Sequence, residues 1–229
     1  MIVLVCLESP SPSLASREAL RLACSLGEKA EVVVLSVGGD TEGASMELAR
    51  QSAAVRRIIR LQNTAFNKAD FLTLGMILAE AARYLAARVV FAGEHSDSEG
   101  QGMVPAALAH HLRVPLFARV QAVHLPAAQD ENLEILQMSI RSGGRLCRVT
   151  SPLPVVLTTQ PSPASDHAQS AEVKNAAPTV EVLSLQQLGI DASRLVPRPD
   201  LLGTFVSAPA DKVQHKSFDE AARILLRGQ

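Results

Sequence analysis

The sequence predicts a doubly wound α/β fold, a three-layer arrangement with helices on both faces of a mostly parallel sheet. Continuous apolar runs of strand length occur at Ile2 to Leu7, Val32 to Val37, Val55 to Leu61 and Arg88 to Ala92. Uninterrupted hydrophobicity of that length is expected of parallel strands covered on both sides. Segments of helical spacing separate the runs, giving four strand-helix alternations. A polar, glycine-bracketed loop from Gly93 to Gln101 follows the fourth run and precedes a helix from about Gly102 to Leu112, the order in which such folds place a ligand.

The first run ends at Ser9-Pro10-Ser11-Pro12-Ser13, where each proline biases its predecessor toward extended geometry. Ala19, Leu22, Ala23 and Leu26 then share one face of a first helix, with Gly27 suited to its carboxyl cap. A second strand, Val32 to Val37, closes at Gly38-Gly39, and a helix from about Thr41 to Ala53 leads to a third strand centred on Ile58 and Ile59. Asn63 to Lys68 reads as loop. Leu74, Ile77, Leu78, Ala81 and Leu85 mark one face of a third helix.

Beyond His110-His111 the pattern changes. Pro115 to Leu125 and Leu133 to Ile140 read as extended segments, Gly143-Gly144 turns the chain into Leu146 to Val149, and Pro154 to Thr158 is a further strand. Hairpins of this kind add antiparallel strands at the edge of the sheet or beside it. Gln160 to about Ala177 is rich in Ser, Pro, Ala and Asn and poor in packing residues. Val180 to Leu183 resumes a strand, and Ser184 with Gln187 resembles a capping box that starts a brief helix ending at Gly189. Ser217 and Glu220 suggest a second capping box before a last helix. The organisation expected is an α/β nucleotide-binding domain over 1–160 with an edge hairpin, a variable polar loop over 161–177, and a carboxyl-terminal segment and partner-contacting tail over 178–229.

Composition narrows the function classes. The 229 residues are 47% hydrophobic but only 3% aromatic, so Ala, Leu and Val must fill the core. Twenty-two Lys and Arg against 23 Asp and Glu give a net charge of -1, which argues against a nucleic-acid partner. Cys6, Cys24 and Cys147 are widely spaced and read as small buried hydrophobes rather than a disulfide or metal set. Met1 to Val5 lacks a basic flank and breaks at Glu8, so it reads as a strand rather than a leader or membrane insertion. The compartment expected is cytoplasmic.

The chemistry concentrates in Gly93 to Gly102. Gly100 and Gly102 allow close backbone approach, and the amides of Gln101 to Met103 face an anion at the helix start. Ser96 and Asp97 are placed to accept hydroxyl or amino hydrogens from the same ligand. Glu94, Asp97 and Glu99 would repel a phosphate, so the anion belongs beside the helix start rather than in mid-loop. Those carboxylates with His95 are the alternative set, for a divalent cation. A plain acidic surface loop is the remaining reading. No lysine follows the glycines, so this is not a P-loop, and no G-x-S-x-G elbow or nucleophile-histidine-carboxylate arrangement occurs. The expectation is a binding protein without catalytic residues of its own.

The segments SREALRLACSLGEKAEVVVLSVGG, VVFAGEHSDSEGQGMVPAALAHHLRVPLFARV, RSGGRLCRVTSPLPVVLTT and VEVLSLQQLGID together resemble the beta-subunit family of electron transfer flavoproteins over nearly the whole length. The resemblance implies an adenine nucleotide alpha hydrolase-like fold of that type, with an added antiparallel hairpin and carboxyl-terminal extension. It implies an AMP pocket, or a second flavin in electron-bifurcating relatives, beside an alpha subunit that holds most of the FAD. It implies partners too: that alpha subunit, a dehydrogenase donor and a quinone-linked or other acceptor. Carried over by motif, Cys6 stands at the end of the first strand, Ser9 where the family commonly has asparagine before proline, and Val37 and Gly38 at the end of the second strand. Gly93, Asp97, Gly100 and Gln101 match the nucleotide loop, with the Gln101 and Gly102 amides as phosphate donors. The family's docking segment is replaced by PSPASDHAQSAEVKNAA. That replacement keeps a second hypothesis open, a stand-alone adenine-nucleotide-binding regulatory protein resembling universal stress proteins. A third, a small hydrolase or transferase, would use Asp97 and Glu99.

Overall fold

The computed structural model describes residues 1–8, 11–38, 43–63, 66, 69–95, 102–126, 134–162, 177–191 and 195. The chain divides into two units, Met1–Arg198 and Pro199–Gln229, and every described residue lies in the first. The expected helix after Ser217 falls outside the described residues.

Seven strands form one all-parallel sheet. They are β1 (Ile2–Glu8), β2 (Glu31–Gly38), β3 (Val55–Gln62), β4 (Val89–Gly93), β5 (Leu116–Phe117), β9 (Val155–Thr159) and β10 (Thr179–Leu183), in the order β10-β3-β2-β1-β4-β9-β5. The chain lays down β1, β2 and β3 in one direction, then crosses back so that β4 pairs with β1 on its other side. That reversal makes the carboxyl ends of β1 and β4 the switch point of the sheet, outside which folds of this kind open a crevice.

Strand side chains alternate between two cores, as a two-residue repeat requires. Val3, Val5, Val32, Val34, Val89 and Phe91 pack under α1 (Leu14–Cys24) and α2 (Ala44–Gln51) through Ala19, Leu22, Met46 and Leu48. Leu4, Cys6, Val33, Leu35, Val90 and Ala92 face the other way, toward Ile77 and Leu78 of α3 (Phe71–Tyr84) and Leu108 of α4 (Val104–Leu112). The three-layer expectation is met.

Four details depart from the sequence reading or sharpen it. The stretch 115–125 is two strands, not one: Arg119 takes a left-handed conformation (φ 60°) between β5 and β6 (Val120–His124). β6 leaves the main sheet to pair antiparallel with β7 (Ile135–Ser142), itself paired with β8 (Arg145–Pro152). This three-stranded sheet lies beside the main one and adds Val120, Leu136 and Met138 to the core on the α1 side. β9 is interior, inserted between β4 and β5.

The Ser184 capping box exists, with Gln187 Oε1 accepting from the Ser184 N–H (2.8 Å) and hydroxyl (3.0 Å), but the residues after it form turns rather than a helix. Too few residues separate the cap from Gly189 to repay helix nucleation, and Leu185, Leu188 and Ile190 turn into the core instead. β10 is held at the sheet edge by Arg57, whose Nε and Nη2 donate to the two Glu181 oxygens at 3.0 and 3.1 Å.

Candidate functional site

The crevice is built by tying helix starts to strand ends. Glu8, at the end of β1, accepts hydrogen bonds from the Ser13 N–H (2.8 Å) and hydroxyl (3.2 Å). Ser13 in turn caps α1 by accepting from the Ser16 N–H at 3.2 Å, an arrangement worth about 1 kcal/mol. The Ser45 hydroxyl in the first turn of α2 donates to the Glu8 carbonyl. At the next strand ends, the Thr159 hydroxyl donates to the Ala15 carbonyl at 2.6 Å, and the Glu94 N–H donates to the Thr159 carbonyl at 2.9 Å. The carboxyl ends of β1, β4 and β9 are thereby locked to the starts of α1 and α2.

Six of the ten residues proposed from the sequence for nucleotide binding are described. Cys6 pairs in register with Ala92 and Leu35, Glu8 with Val37, and Gly93 closes β4, so Cys6, Val37, Gly38 and Gly93 lie at one edge of the sheet. Gly102 and Met103 stand at the start of α4. Ser9, Asp97, Gly100 and Gln101 lie outside the described residues.

The geometry gives these positions distinct roles. Cys6 is buried and its thiol is pushed up to about 12, by burial first and by the Glu8 charge second, so at neutral pH it offers neither a nucleophile nor a thiolate ligand. A Cβ at Gly93 would stand 2.6 Å from the Ser16 hydroxyl and 3.0 Å from its N atom, so this glycine is needed by α1 packed against it. Gly102 combines φ +61° with contacts that leave no room for a side chain: a Cβ there would meet the Glu94 carbonyl at 2.7 Å and His95 Nδ1 at 2.8 Å.

The helix starts differ in their donor sets. Ser13 caps α1 and Asp70 caps α3, the latter accepting from the Thr73 N–H at 2.7 Å. Met103, at the cap of α4, makes no side-chain cap bond, and the first turn of α4 carries no acidic residue. Uncapped amides without a competing carboxylate suit an anionic group. The residues present at this edge therefore fit the phosphate end of a nucleotide.

Arg119, which sequence reasoning passed over, converges here on Glu94, a carboxylate the sequence assigned to phosphate repulsion or to a divalent-cation set. Glu94 is largely buried and takes the Arg119 Nε at 3.1 Å on Oε1, while Oε2 is buried without a hydrogen-bond partner. The Arg119 N–H donates to the Thr158 hydroxyl at 3.3 Å. No sequence signal marks Arg119, because its partners come from β4 and β9, distant in the chain.

Elsewhere, a cavity of about 670 Å³ lies between α1 and α2 among Arg17, Leu20, Arg21, Cys24, Leu48 and Arg56. These are residues of the helices' later turns and the β3 start, at the opposite end of the sheet from the crevice. Among the described residues no group of three or more His, Cys, Asp or Glu could hold a metal ion, and no helix is long and apolar enough to cross a membrane.

Comparison with known proteins decides the family. Residues 3–186 match the electron transfer flavoprotein domain. The chain belongs to that family. It is a divergent beta-like member, 29% identical over 178 residues to the electron transfer flavoprotein subunit beta of Methylophilus methylotrophus. The match covers 77% of this chain and 66% of that relative, just under two thirds of its length. The family match runs from β1 into the turn after β10 and so includes every strand of the crevice.

Proposed function

We propose that this chain is the beta-type subunit of a heterodimeric electron transfer flavoprotein. In this reading it holds AMP, or the adenosine phosphate half of a second flavin, in the crevice outside β1 and β4. It also scaffolds an alpha subunit that carries FAD. The pair receives electrons from a dehydrogenase and hands them to a quinone-linked or other acceptor, in the cytoplasm. The chain contributes no catalytic group; flavin chemistry belongs to the bound cofactor.

The observation that carries the reading is the family match across 3–186, which spans the crevice and its uncapped helix. The phosphate belongs at the amides of Gln101 to Met103, with Gly93, Asp97 and Gly100 in the nucleotide loop and Ser9 contributing from the segment after the first strand. The adenine belongs along the backbone at Cys6, Val37 and Gly38. Release and identification of small molecules from the native protein tests this. FAD with AMP, or two FAD equivalents, is expected; a preparation without adenine nucleotide or flavin contradicts it. The altered segment PSPASDHAQSAEVKNAA favours one other reading, a stand-alone adenine-nucleotide-binding regulator, for which nucleotide without flavin or partner is the expected result.

A further inference from the structure

Two local costs meet at one ion pair. Arg119 holds a left-handed backbone (φ 60°) without being glycine, which is unfavourable. Glu94 buries a carboxylate with one oxygen unpaired, which is also unfavourable. The left-handed turn at Arg119 lets β5 pair with β9 while β6 pairs with β7, and it leaves the side chain beside Glu94, the residue that follows β4. Together the turn and Glu94 fix a guanidinium at the carboxyl edge of the sheet.

The fixing is specific. The Arg119 backbone is bonded at both ends, its N–H to the Thr158 hydroxyl and its carbonyl to the Arg141 N–H at 3.2 Å. Its side chain is engaged at Nε by Glu94, yet remains about half exposed (52%), and no partner is found among the described residues for its two terminal nitrogens. On the backbone side of the same Glu94, the carbonyl abuts Gly102 at the start of α4. One residue therefore links the cation on one side to the uncapped helix start on the other.

We propose that Arg119 is a positioning and specificity residue of the crevice, its terminal N–H groups receiving a phosphate oxygen of the nucleotide while Glu94 holds the guanidinium in place. The inference rests on the nucleotide reading above. A guanidinium suits the task because its planar fork keeps two terminal nitrogens, with four N–H groups, free when Nε is occupied.

Binding of AMP, FAD and adenosine to the full chain, with any copurified partner retained and bound nucleotide first removed, is the test. In Arg119→Gln, which keeps a donor toward Glu94, AMP and FAD affinity is expected to fall about tenfold or more, with adenosine changed by less than about twofold. Arg119→Lys, which keeps a point charge, should retain more AMP affinity than Arg119→Gln and guards against a folding defect in the latter. A parallel fall for AMP and adenosine, or no fall for either phosphate ligand, overturns the proposal and leaves the nucleotide reading standing. Wild-type protein that binds none of the three overturns that reading and this inference together.

Discussion

Cys6 lies in the strand that opens the crevice, but its thiol belongs to the core. The folded pKa, about 12, is above the ordinary thiol value near 8.5. Stability from the buried neutral thiol is therefore complete below the unfolded pKa. Between about pH 9 and 12 the unfolded chain loses a proton that the folded chain keeps, so stability falls as pH rises, by up to about 1.4 kcal/mol per pH unit. Cys24, pushed up to about 11 by burial, adds to the same trend. Urea midpoints measured from pH 8 to 10.5 should decline less steeply in Cys6→Ala than in wild type; parallel declines would mean that the Cys6 thiol is not the titrating group. At Gly93 the sequence marks the glycine that opens the loop, and nothing in it says that a side chain is excluded there. Ser16, far away in the chain, is what excludes one. Gly93→Ala is expected to destabilise the fold by about 1–3 kcal/mol, read as a shift in the urea midpoint; an unchanged midpoint would show that Ser16 yields freely.

At the scale of elements, α3 and α4 pack closely at one point. A Cβ on Gly75 would lie 2.4 Å from the Ala107 Cβ and 2.8 Å from the Leu108 N atom, one of which is backbone and cannot rotate away. Gly75→Ala gains about 1 kcal/mol of helix propensity, while overpacking costs about 1–3 kcal/mol. The clash should win because α4 must move to relieve it. Net destabilisation in urea, with any change at the start of α4 visible as weakened nucleotide affinity, is the expected outcome; a stabilised Gly75→Ala would mean that the helices separate at little cost. The strands and helices of the parallel sheet were legible because each is a run of one period, apolar throughout or repeating at helical spacing. The break at Arg119 was not, since nothing local in Leu116 to Val120 demands a left-handed residue. It is imposed by β5 pairing with β9 while β6 pairs with β7. The Ser184 turn shows the converse, a correct local cap with no helix behind it because the core claims Leu185, Leu188 and Ile190.

For the molecule as a whole, strand order is the property that makes the crevice, and strand order is not written in any single segment. The alternation of elements implied a parallel sheet, whereas the placement of β4 beside β1, of β9 inside β5, and of β10 at the far edge depends on which faces remain to be covered. Edge strand β10 is secured partly by the Arg57–Glu181 pair, both members substantially exposed, so Glu181→Ala should cost no more than about 1 kcal/mol in urea. A larger loss would assign β10 a more central part in the fold. The account's central claim is that this chain works as one half of a flavin-bearing pair. Native mass spectrometry of the protein purified gently from its own source tests it most directly. The claim predicts the 24.4 kDa chain in a one-to-one complex with a second, flavin-bearing subunit; the chain alone or paired only with itself, without flavin, would contradict it.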